Sequence, residues 1–170
     1  QILPLLHDED SRIRAAAAAT LGPWRMNRAI PALHRLVVDR CADVRCSAAK
    51  SLGLLGARET APALLQLLDD EDPEVRDAAV MVLGWMEARE AAPRIAQRLK
   101  LEEFRRYRER MIDVLADLQY KESVPQILDL LGDPDPSVVQ AALETLGALG
   151  DRKAVPRLEA FLESHDDETL

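Results

Sequence analysis

A proline recurs along this chain at Pro31, Pro62, Pro93, Pro125 and Pro156, in steps of 31, 31, 32 and 31 residues. A leucine keeps the same steps at Leu21, Leu52, Leu83, Leu115 and Leu146. Seven residues before each leucine stand Arg14, Arg45, Arg76 and Arg108, and then Val139. Three markers in phase define a tandem repeat. A unit of this length has one apolar face and no core of its own. It is stable only when stacked on its neighbours.

The clearest unit is the stretch 69–93, DDEDPEVRDAAVMVLGWMEAREAAP. Asp72 fits an N-cap and Pro73 the first helical position, where a missing N–H costs nothing. Val75, Ala79, Val80 and Leu83 then follow at helical spacing. Applied to every unit, this reading predicts two helices per repeat. The A helices cover 29–38, 60–69, 91–100, 123–132 and 154–164. The B helices cover 11–22, 43–55, 73–87, 104–118 and 136–149. Thr60 and Ser123 are the expected caps of two A helices. Gly22, Gly53, Gly84 and Gly147 after the B leucine, with Ala116 in the fourth unit, are expected to let helices approach closely. Gly56 and Gly150 are expected to end their helices. No stretch alternates at period two. The expected fold is all-α, a right-handed α-solenoid of about five helical hairpins in one domain, 1–170. Its repeats are 1–27 (partial), 28–58, 59–89, 90–121, 122–152 and 153–170 (partial). The chain opens inside a repeat, because Ile2, Leu3, Leu5 and Leu6 match Leu64, Leu65, Leu67 and Leu68. The polar tail from Ser164 is expected to fray.

Composition narrows the function. Only 4% of the 170 residues are aromatic, so alanine and leucine carry the packing. The longest alanine run, 15–19, is far too short to cross a membrane, and no targeting segment is read at the start. A net charge of −8 disfavours nucleic acid and anionic lipid. Two cysteines, Cys41 and Cys46, make no disulfide framework, so a cytoplasmic location is expected. The histidines fall at unrelated repeat positions and no metal-ligand spacing appears, so no metal or cofactor is expected.

Two units, APALLQLLDDEDPEVRDAAVMVLGWMEARE (61–90) and VPQILDLLGDPDPSVVQAALETLGALGDRK (124–153), carry a family pattern. It runs link proline, acidic turn, Asp-Pro, Val-Arg, Ala-Ala, Leu-Gly. It resembles HEAT repeats of the short type named after phycobilisome lyase subunits. The resemblance implies a structural ladder between neighbouring repeats. Its bases would be Arg14, Arg45, Arg76 and Arg108 and its acids Asp43, Asp72 and Asp135, with Val139 breaking it in the fifth unit. It also implies bilin lyase subunits, deoxyhypusine hydroxylases and binding scaffolds as possible kin. The hydroxylases carry paired His-Glu dipeptides for two irons, and this chain has none. A HEAT-like DNA glycosylase would need a basic concave face, which the columns below lack.

If the B helices line a concave face, the exposed column of the third unit is Asp77, Met81 and Trp85. The matching columns are Ala15 and Ala19; Cys46, Lys50 and Leu54; Glu109, Asp113 and Asp117; and Gln140, Glu144 and Ala148. Glu109, Asp113 and Asp117 repel one another at successive turns, by about 0.2–0.5 kcal/mol per pair. A solvated acidic face explains them as well as a cation-binding role does. Trp85 beside Met81 reads as an apolar anchor or as a ring packed on the next unit. Trp24, in the column of Leu55, Met86, Leu118 and Leu149, is expected in the core. The fourth unit's run 104–110 holds four arginines and two aromatics, but Tyr107 falls in the core column and Arg108 in the ladder. The expected function is a non-catalytic protein-interaction scaffold that binds a basic and apolar polypeptide through Asp77, Met81, Trp85, Glu109, Asp113, Asp117 and Glu144. The alternative is a bilin lyase/isomerase-like enzyme or enzyme subunit, and on that reading alone would the chain be catalytic.

Overall fold

A computed structural model describes residues 2–166 of the chain. The side chains of His165 and Asp166, and the tail beyond them, lie outside the described residues, so most of the expected fraying falls there. Among the described residues every regular element is helical. The B helices are α1 (Ser11–Leu21), α3 (Ala42–Leu54), α5 (Pro73–Trp85), α7 (Arg105–Asp117) and α9 (Pro136–Leu149). The A helices are α2 (Ile30–Leu36), α4 (Ala61–Gln66), α6 (Ala92–Leu99), α8 (Val124–Asp129) and α10 (Val155–Asp166). The described residues up to Arg94 form one compact unit and those from Ile95 onward a second. In the first unit α1 packs on α3 and α3 on α5; in the second α7 packs on α9.

Each A helix is entered through a short 3-10 turn, such as Arg58–Thr60 or Lys121–Ser123. This overturns the expected caps. Thr60 and Ser123 sit in helical backbone at the end of that turn, where an N-cap would need an extended one. Their hydroxyls instead donate backwards, to the carbonyls of Ala57 and Tyr120, both at 2.6 Å. Both residues are buried, so the bond satisfies a group that would otherwise be stranded. Asp72 does cap α5, accepting from the Glu74 amide at 2.8 Å.

The chain leaves its B helices through a left-handed residue: Arg25, Gly56, Glu87, Gln119 and Gly150, with φ between 51° and 64°. In the first four repeats the very next amide closes back on the B leucine, as in Ala57 N to Leu52 O at 3.1 Å. Gly56 and Gly150 take this conformation freely, whereas the other three carry a cost of about 1–2 kcal/mol. Trp24, expected in the core, is 64% exposed. Pro23 explains the difference. It cannot continue the helix, and α1 ends at Leu21, two residues earlier in the repeat than α3 and α5. The indole leaves the course that buries Met86, Leu118 and Leu149.

The B leucines are at most 3% exposed, as are Val75, Ala79, Val80 and Leu83. Burying such a leucine stabilises by about 1.5–3 kcal/mol. Alanines and glycines set how near the helices come. A Cβ at Gly22 would lie 2.8 Å from Ser51 Cα, and one at Gly53 would lie 2.9 Å from Val82. Gly147 differs, with no neighbour within 4 Å. Glycine is therefore needed at the first two positions and replaceable at the last. Gly22→Ala is expected to destabilise the protein by about 1–3 kcal/mol through overpacking. Gly147→Ala is expected to stabilise it by up to about 1 kcal/mol through helix propensity. Urea unfolding of both variants against the parent checks the opposite signs.

Candidate functional site

The arginine column builds the junction between repeats. Arg14 donates to both carboxylate oxygens of Asp39 at 2.8 and 2.9 Å, and Arg45 to both of Asp70 at 2.7 and 2.8 Å. The remaining nitrogen turns back to the repeat's own entry turn. Arg14 Nη1 reaches the carbonyls of Asp8 and Glu9, and Arg45 Nη1 reaches that of Asp39. Arg76 Nη1 does the same with Asp70 and Glu71. Each acid also accepts the amide two residues on, Cys41 N for Asp39 and Asp72 N for Asp70, at 2.9 Å. One planar guanidinium thus joins two turns.

The acids of this ladder are not those expected. Asp72 and Asp135 spend their carboxylates on the first amides of their own helices, Glu74 N and Ser137 N. Asp43 lies in the first turn of α3, one helical turn past the acid that Arg14 meets. The ladder acids sit earlier, on the turn itself: Asp39, Asp70 and Asp133. They belong to a column, Asp8, Asp39, Asp70, Glu102, Asp133, whose steps match those of the prolines. That periodicity was the signal available in the sequence. In the fourth unit glutamate replaces aspartate. Arg108 meets Asp133 only at 3.2–3.3 Å, and its Nε is buried without a hydrogen bond. Val139 leaves the fifth unit without an arginine at the ladder position.

In the second unit, the acidic column of α7 is joined by Glu144 from α9. Neighbouring protein partly desolvates the Asp113 carboxylate, and repulsion from Asp117, Glu109 and Glu144 adds to this. Arg110 opposes the shift but does not cancel it, so the Asp113 pKa is raised. Glu109 accepts from Ser137 Oγ at 2.5 Å and lies 3.9 Å from Arg105. Gln140 donates to Glu144 at 2.8 Å. Asp113 and Asp117 remain exposed. The structure therefore brings Glu109, Asp113, Asp117 and Glu144 into one electrostatic group.

The rest of the expected patch lies in the first unit, on α5. Asp77 and Met81 are half-buried and Trp85 is 53% exposed. A Cβ at Gly53 would stand 3.2 Å from the Trp85 ring, so the glycine makes room for the indole. One edge of Trp85 packs against the preceding repeat and not the next one, and the rest of the ring is open. Further along this face Ala15, Ala19, Cys46 and Lys50 line an open groove of about 540 Å³ with Arg12, Asp43 and Glu74. Its charges are mixed, unlike the α7–α9 face. Burial pushes the Cys46 thiol up to about 11, which leaves almost no thiolate nucleophile at neutral pH. Among the described residues no group of histidine, cysteine and carboxylate side chains could hold a metal. In the fourth unit's basic run, Tyr107 is buried and carries Arg106 over its ring at 4.6 Å.

With the repeat and its junction in view, comparison with known proteins places the chain. A family model described as HEAT repeats matches residues 1–84, 33–106 and 92–170. The chain belongs to the HEAT-repeat family. Among solved structures, this HEAT protein is similar to one described as the complex of CpcE and CpcF of phycocyanin lyase from Nostoc sp. PCC7120. The identity is 26% and the TM-score 0.75, over 87% of this chain and 63% of that one. The chain thus spans less than two thirds of that relative's length. It also resembles a designed armadillo repeat protein in complex with the peptide (KR)4, at 17% identity and TM-score 0.69, over 87% of this chain and 80% of that one. A third likeness is to computationally designed armadillo repeat proteins for modular peptide recognition, at 19% identity and TM-score 0.63, over 94% and 90%. No curated protein sequence matches. The fold is an α-solenoid of helical hairpins, and no helix among the described residues is long and apolar enough to cross a membrane.

Two aspartates of this HEAT protein should respond to pH in opposite ways. Burial acts to raise the Asp39 pKa, but hydrogen bonds from Arg14 and the Cys41 amide outweigh it and hold it low. Its stabilisation is present above the ordinary aspartate value of about 3.9 and is lost as pH falls through the lower folded value. Asp113, with a raised pKa, favours the fold below that ordinary value and loses this as pH rises through the folded one. At pH 7, Asp39→Asn should therefore lower the melting temperature. Asp113→Asn should raise stability by a few tenths of a kcal/mol, roughly 0.2–0.5 per relieved pair. Melts from pH 7 to 3 should show both differences shrinking.

Proposed function

We propose that the chain is a non-catalytic interaction scaffold whose α7–α9 face binds a basic segment of a partner polypeptide. The observation that supports this reading is the Asp113 carboxylate, held among three others on two adjacent helices at a cost to the fold. Side chains that oppose stability without serving the core are reasonable binding residues. A cationic segment would relieve the repulsion and gain charge-assisted hydrogen bonds to Glu109, Asp113, Asp117 and Glu144. Trp85 with Met81, beside Asp77 on α5, is proposed as a separate apolar contact, because a half-open indole supplies large contact area at little entropic cost. The overall charge of −8 favours encounter with a basic partner. Repeat solenoids of this fold include one in complex with (KR)4, though that likeness speaks to architecture.

A second reading rests on the 26% identity to the phycocyanin lyase complex. The chain would then be a subunit of a bilin lyase. Incubation with a bilin and an apo-phycobiliprotein distinguishes the two, since only the lyase reading predicts new visible absorbance.

The scaffold reading is tested by fluorescence anisotropy with a labelled peptide of alternating lysine and arginine. Asp113→Lys should weaken binding about tenfold or more, with a steep salt dependence in the parent. Trp85→Ala should leave this arm unchanged and should weaken only peptides that also carry apolar residues. Equal binding by parent and Asp113→Lys would remove the acidic face from the account.

A further inference from the structure

Arg94, the residue after its link proline, pairs with Asp69 at the end of the preceding A helix. Arg157, again the residue after a link proline, pairs with Asp129 at 2.9 Å. Between the fourth and fifth repeats such a pair is lost at both ends. Gln126 follows Pro125, and Lys100 stands seven residues after Pro93, just as Asp69 stands seven after Pro62. No hydrogen bond joins the two, and Gln126 Oε1 is buried without a partner among the described residues.

The ladder arginine of the same junction is short of a partner too. Arg14 and Arg45 bring Nε onto the acid of the next repeat. Arg108 meets Asp133 only through its outer nitrogens, and its Nε is stranded. Glu102, the longer acid of this repeat, has a fully buried side chain 3.9 Å from Arg98. Lys100, Glu102, Arg108 and Gln126 border one cavity of about 320 Å³, with Leu99 and Leu130 as apolar walls. A buried donor and a buried acceptor left unpaired oppose folding, and their place beside one cavity points to a ligand that serves both.

The chemistry of that ligand follows from the lining. Lys100 and Arg108 are balanced by Glu102 and Asp129, so the formal charges cancel. A simple anion or cation would meet one like charge for each opposite one. A molecule that carries both a carboxylate and an ammonium meets each with its opposite. The volume lies at the low end of the roughly 300–1,000 Å³ of small-molecule sites. We propose that this cavity binds a small α-amino acid with an aliphatic side chain. Its carboxylate accepts from Lys100 and Arg108. Its ammonium donates to the Gln126 amide oxygen, which turns into the cavity about a soft terminal torsion. Its side chain lies against Leu99 and Leu130. The site shares no residue with the acidic face and stands apart from it.

Isothermal titration of the whole chain with L-leucine tests this. Leucine should bind, and 3-methylbutylamine and 4-methylpentanoate, which lack its carboxylate and its ammonium in turn, should each bind about tenfold more weakly or worse. Lys100 is exposed, so Lys100→Gln should keep the fold and weaken leucine about tenfold. Gln126→Leu should weaken it similarly while raising the melting temperature without ligand, because the stranded oxygen is gone. A merely structural glutamine would not show that pair of opposite effects. Lys100→Gln alone carries the test should Gln126→Leu fail to fold. No heat from leucine, valine or isoleucine at millimolar concentration overturns the proposal. So does equal affinity for the amine or the acid alone, or leucine binding indifferent to Lys100→Gln and Gln126→Leu.

Discussion

The structure depends on an arginine that belongs to two repeats at once. Arg45 leaves its own helix, donates to the carbonyl of its own entry turn, and closes on Asp70 in the next repeat. Its side chain and that of Asp70 are each 9% exposed. A buried pair gains little net stability over an apolar pair of the same shape, and its strength lies in geometry. The guanidinium fork accepts one orientation of the carboxylate, which is itself fixed by the Asp72 amide. A stack of amphipathic hairpins could slide on alanine and leucine alone. The fork sets the register, and the close approaches at Gly22 and Gly53 follow from it.

The same logic shows where the array is less constrained. The fourth repeat carries one extra residue and a glutamate in the turn-acid column, and Arg108 meets Asp133 at longer distances with an unpaired Nε. That repeat also bears the concentrated negative charge. The face proposed above for binding and a looser junction thus fall in the same repeat. Solenoids divide labour in this way: the repeating positions hold the stack, and the positions free to vary carry recognition.

Much of this was legible in the sequence. The proline, leucine and arginine columns gave the helix pairs, and their faces gave the buried core. The misses have physical causes. Thr60 and Ser123 look like caps, but the preceding 3-10 turn fixes their backbone in the helical region. Trp24 aligns with core residues, but Pro23 ends α1 before it. Asp72 and Asp135 were the conspicuous acids, yet their own helix amides claim them. Asp39 and Asp70 were equally periodic. The column alone does not tell which acid faces the neighbouring repeat. For the candidate site, spacing along α7 was enough to group Glu109, Asp113 and Asp117. Trp85 could not be resolved, because whether a ring is half-covered depends on a glycine, Gly53, in another repeat.

The most direct measurement of the central claim is a double-mutant cycle on Arg45→Ala and Asp70→Ala, read by urea unfolding at neutral pH. If the arginine couples neighbouring repeats, each single change is strongly destabilising and the second adds little, giving a coupling of about 1–3 kcal/mol. Effects that add to within about 0.5 kcal/mol would show two independent side chains, and would contradict the account.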